Sequence, residues 1–80
     1  MSIPDSKAVR RDTINRAIAL IDVATPADLA DWLRQINVRD SLRDNPADLR
    51  AHLADSLDED FLFPAWKVSQ QLLEAAGLPY

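Results

Sequence analysis

Few residues in this 80-residue chain can do chemistry: one histidine, two Asp-Ser-Leu triplets, two charge clusters and one group of aromatics. His52 follows Asp48 by four residues and precedes Asp55 by three, so on a helix both carboxylates can reach the same imidazole and favour its protonated form. That spacing suits a pH-responsive contact or a general base oriented by Asp, and it equally suits a solvated surface pair. Catalysis needs a nucleophile and a pocket as well, and a metal needs more ligands at close spacing. The chain has no Gly-rich phosphate loop and no paired nucleophile and base. With no Cys it also has no disulfide framework, thiolate zinc site or cysteine nucleophile. The expectation is a non-enzyme without a cofactor or a metal.

The strongest candidate for a functional surface is acidic and aromatic. Asp55, Asp58, Glu59 and Asp60 stand directly before Phe61, Phe63 and Trp66. Aromatic rings are enriched at binding hot spots, and a rim of carboxylates steers a basic partner towards them. In so small a chain rings are also needed as core, so at least two of the three are expected to be buried. A second cluster, Lys7, Arg10, Arg11 and Arg16, lies near the start of the chain. Lys7, Arg10 and Arg11 share a helical arc with Ile14, and they either pair with Asp12 or the acidic 55–60 segment or form a docking site for an acidic surface.

Two other patterns carry weaker expectations. Arg39 and Arg43 are one turn apart and would sit on the recognition helix of a helix-turn-helix whose first helix is 28–33. Asp40 and Asp44 share that segment, the expected turn Gly is absent, and the net charge is −4, whereas nucleic-acid affinity rests on clustered positive charge. The triplets Asp40-Ser41-Leu42 and Asp55-Ser56-Leu57, in a small acidic chain, resemble the phosphopantetheine attachment site of acyl carrier proteins. The resemblance is confined to these tripeptides. In that family the serine opens a long mid-chain helix with two more after it, whereas Ser56 falls late and inside a helix, and Ser41 is soon followed by Asn45-Pro46.

These residues must be positioned by helices. Twelve Ala and eleven Leu stand against four Val, with one Gly and no alternating apolar run, which leaves little material for strands. The spacing predicts helices over 6–22, 26–36, 46–57 and 64–76, with a short one over 39–44. In the first, Ile14, Ala17, Ile18 and Ile21 share one face, while Val9, Leu20 and Val23 fall nearly opposite. That helix is therefore either central or met by a partner on its second face, and the central position is preferred. Thr25-Pro26-Ala27-Asp28-Leu29 has a cap, a first-turn Pro and an early carboxylate, and Asn45-Pro46-Ala47-Asp48-Leu49 repeats the pattern twenty residues later. Gly77-Leu78-Pro79 supplies a left-handed stop for the last helix. The buried set is expected to be Ile14, Ile18, Ile21, Leu29, Leu33, Ile36, Leu49, Leu53, Leu57 and Leu72.

The expected fold is thus an all-α, compact single-domain bundle of four to five short helices spanning 1–80. The longest uninterrupted apolar stretch is Ala17 to Ile21, far short of a membrane span, and Met1 to Asp5 has no basic stretch leading into an apolar core. A cytoplasmic protein with no membrane association is expected. Function is read as a small acidic protein–protein interaction module, a regulator, adaptor or inhibitor. One form of it is a phage- or mobile-element-encoded inhibitor of a host nucleic-acid-handling machine, its acidic surface occupying a basic groove. The partner is another protein or complex, met through a basic surface; direct nucleic-acid binding is not expected, and a homodimer is compatible with the second apolar face. The alternative is a small helix-turn-helix-like DNA-binding regulator.

Overall fold

A computed structural model describes residues 6–59 and 62–78. Asp60 and Phe61 of the expected acidic and aromatic surface lie outside the described residues. Five helices follow in order: α1 (Ser6–Val23), α2 (Pro26–Gln35), α3 (Asp40–Arg43), α4 (Pro46–Glu59) and α5 (Leu62–Ala75). No strand occurs among the described residues, and the fold is a small all-α bundle. None of the described helices is long and apolar enough to cross a membrane.

The helix boundaries follow from local chemistry. At α2, the Thr25 hydroxyl accepts the Asp28 amide at 3.2 Å and Pro26 occupies the first turn, as its spacing predicts. The echo at α4 is less alike than it reads. The Asn45 side chain donates backward to the Ser41 carbonyl at 3.2 Å, serving the end of α3, while its backbone carbonyl accepts the Asp48 and Leu49 amides. After α5, Gly77 takes a φ of 75°, and the Leu78 and Gly77 amides return to the carbonyls of Leu73 and Glu74. This paired closure requires a left-handed residue, which Gly supplies without a Cβ penalty.

One apolar core joins α1, α2, α4 and α5 through Ile14, Ala17, Leu29, Leu33, Ile36, Leu49, Leu53, Leu62, Ala65 and Leu72. Helix α1 packs on both α5 and α4, but Val9 is 49% and Val23 80% exposed, so the preferred central position does not cover its second apolar face. Arg11 meets Leu57 and Asp22 meets Arg50, so α1 and α4 run antiparallel. Arg10 lies over Phe63 and Trp66, and Leu20 shares a groove with Leu73, so α1 and α5 run in the same direction.

Three residues expected in the interior, Ile18, Ile21 and Leu57, are half-buried and pack at its margin. On α4 the inward positions are Leu49, Leu53 and Ser56, at i, i+4 and i+7, which puts Leu57 on the flank. The rings also depart from expectation: Phe63 is 50% exposed and Trp66 only half-buried. Leu62, Ala65, Ser69 and Leu72 already fill the inward stripe of α5, leaving positions 63 and 66 at its edge.

Candidate functional site

The basic start of α1 and the aromatic start of α5 form one corner. The Arg10 guanidinium lies 5.2 Å from the Phe63 ring centroid and 5.1 Å from that of Trp66. The two rings are 5.7 Å apart and tilted by 49°. Lys67, one turn beyond Phe63, puts its ammonium 5.8 Å from the same ring. Such contacts contribute about 0.5–1 kcal/mol each at exposed sites and hold the ring in a fixed attitude. The indole Nε1 of Trp66 is buried and has no hydrogen-bond partner among the described residues.

The C-terminus of α4 completes this corner. Arg11 donates to the Leu57 carbonyl at 3.0 Å, placing a cation where the helix dipole is negative. Asp55, Asp58 and Glu59 are all exposed, and no ion pair among the described residues engages them. The basic cluster thus meets the end of α4, the helix that carries Asp55, Asp58 and Glu59, of which Asp55 and Glu59 face Pro64 and Ala65, the residues that follow Phe63. Arg10 shares the helical arc of buried Ile14, so its direction towards another element was present in the spacing; which element it meets, 53 residues on, was not.

His52 lies outside this arrangement of rings. It is half-buried beside a hollow of about 210 Å³ between α4 and α5, lined also by Asp55, Ser56, Glu59, Pro64 and Ala65. Neither Asp48 nor Asp55 pairs with it, so the expected two-carboxylate contact does not form, although Asp55 shares the hollow. The described residues contain no group of three or more His, Cys, Asp or Glu placed to hold a metal ion. Ser56 is 6% exposed and its hydroxyl donates to the Leu53 carbonyl at 2.6 Å, so it offers no accessible attachment point. Ser41 is exposed, on the single turn of α3.

Arg43, which the sequence offered only as half of a weak DNA-contacting pair, has a structural role that the sequence did not reveal. Its guanidinium turns inward and donates to the carbonyls of Leu33, Ile36 and Val38, each at 3.1 Å, and to Asp40 at 2.9 Å. It closes the carbonyl end of α2 and the loop after it, and this engages the fork that a base or phosphate contact would use. Only Arg39 of the expected pair stays exposed. No protein-family model, curated protein or solved structure matches the chain.

Proposed function

We propose that this protein acts by binding another protein through the α4–α5 corner, as a regulator, adaptor or inhibitor. Phe63 is the anchor, Trp66 and Arg10 support it from behind, and Asp55, Asp58 and Glu59 form a charged rim. The observation that carries the reading is Phe63 itself: a large ring half-exposed and braced by cations of two helices, a few residues after carboxylates that no ion pair among the described residues engages. A pre-positioned aromatic loses little entropy on docking, and unpaired surface carboxylates accelerate encounter with a basic surface. The partner is thus expected to offer an apolar pocket next to a basic patch, as does a protein that handles nucleic acid in a basic groove.

The test is comparative capture from the source cell, with the native chain, Phe63→Ala and Asp58→Lys/Glu59→Lys as baits. Circular dichroism first establishes that both variants remain helical, as substitution of exposed residues predicts. A partner held by the native chain and lost by both variants supports the corner. Equal retention of every captured protein by both variants, at low salt, excludes it.

A further inference from the structure

Four large hydrophobic side chains are exposed among the described residues: Phe63 belongs to the corner above, and the other three, Val9, Val23 and Leu78, lie elsewhere. Val9 and Val23 share one stripe of α1 with Arg16 and Leu20, since 7, 11 and 14 residues all return close to the same helical direction. The stripe borders α5. At its C-terminal end Leu20 and Val23 join Leu73 and Leu78 around a shallow groove of about 420 Å³, flanked by Arg16 and Ala19. Val23 is 80% exposed and Val9 49%, and neither residue is a strong helix former. Their presence contributes nothing to the core and slightly disfavours the helix that carries them.

We infer that this face joins a second copy of the same chain, with the two α1 helices antiparallel across a two-fold axis at Arg16. The stripe is self-complementary about that residue. Val9 and Val23 stand seven residues to either side, about 10 Å along the helix, so the two-fold sets Val9 of each copy into the Leu20, Val23 and Leu78 groove of the other. The charges agree. Arg16 pairs with Asp12 at 3.0 Å in one chain, both side chains being more than half exposed. The two-fold brings the second copy's Asp12 to the opposite flank of the same guanidinium. Two Arg and two Asp then alternate as a neutral group at the centre, and the net charge of −4 per chain sits away from it. Antiparallel alignment also opposes the two helix dipoles.

The chain has no native cysteine, so single substitutions report the geometry without background. Cross-linking is read under mild oxidation of the full chain, at the two positions that flank the axis. Val9→Cys alone and Val23→Cys alone should not cross-link, and an equimolar mixture of them should. In sedimentation equilibrium the native chain should shift from 9.0 kDa towards twice that mass as concentration rises. Val23→Glu, which alters an exposed position, should stay at 9.0 kDa with unchanged circular dichroism. A native chain that remains at 9.0 kDa up to millimolar concentration overturns the inference. So does a dimer unaffected by Val23→Glu, or faster cross-linking of Val23→Cys with itself than with Val9→Cys.

Discussion

Arg43 and Asp22 do most of the polar work between elements. Arg43 satisfies three backbone carbonyls that the end of α2 and its following loop would otherwise leave open. Arg43→Lys keeps the charge but replaces a planar fork by a single ammonium, so it should lose about 1–3 kcal/mol in a urea melt, close to the loss in Arg43→Ala. Full retention by Lys would mean that charge alone is needed. Asp22 accepts two hydrogen bonds from Arg50, at 2.6 and 3.1 Å, joining α1 to α4. Those bonds, helped by the guanidinium charge and opposed by lost hydration, hold the Asp22 carboxyl below its ordinary value of 3.8. A depressed carboxyl contributes stability above its unfolded pKa and loses it as pH falls through the folded one. Asp22→Asn should therefore be less stable than the native chain near neutrality, and the gap should close below pH 3.8. A gap that persists unchanged through acid unfolding would contradict this linkage. The pair is exposed, so the effect is small and weakens with salt.

At the scale of elements, helices begin where capping chemistry starts them and are held by the Leu stripe. Pro26 is exposed and Pro46 partly so, whereas Leu33 and Leu53 are almost wholly buried. Leu33→Ala and Leu53→Ala should each cost about 2–5 kcal/mol, and Pro26→Ala or Pro46→Ala under about 1 kcal/mol, since first-turn prolines act mainly on the unfolded chain. Equal losses in denaturant melts would mean that the stripe is not core. This level of organisation was legible in the sequence: periodicity placed Leu29, Leu33, Leu49 and Leu53 inside, and Thr25, Asn45 and Gly77 marked boundaries that differ from expectation by only one or two residues. Where the reading went wrong, tertiary geometry decided. Leu57 yields the inward position to Ser56 through helix rotation, and Asn45 and Arg43 spend their donors on neighbouring carbonyls rather than on the cap and the surface contact their positions suggest.

At the scale of the molecule, α1 determines what the surface presents. It runs antiparallel to α4 and parallel to α5, which brings its cationic start to the aromatic start of α5 and its apolar end to the groove at Leu73 and Leu78. The sequence contained both clusters of the corner and the second apolar face of α1. It allowed the basic cluster to meet the acidic segment but not Arg10 to meet Phe63, because contact between positions 10 and 63 depends on the order and direction of packed helices, which periodicity does not encode. The proposed function places partner binding at the corner and leaves the groove to a second copy, so the two faces make separate claims. The most direct test of the corner is to titrate the captured partner into 15N-labelled protein and follow its amide and indole resonances. The account predicts that the largest shifts fall on the Trp66 indole and on the backbone of Asp55, Asp58, Glu59 and Phe63, and that Phe63→Ala abolishes them. Shifts concentrated at Leu20, Val23, Leu73 and Leu78, with the Trp66 indole unmoved, would contradict it.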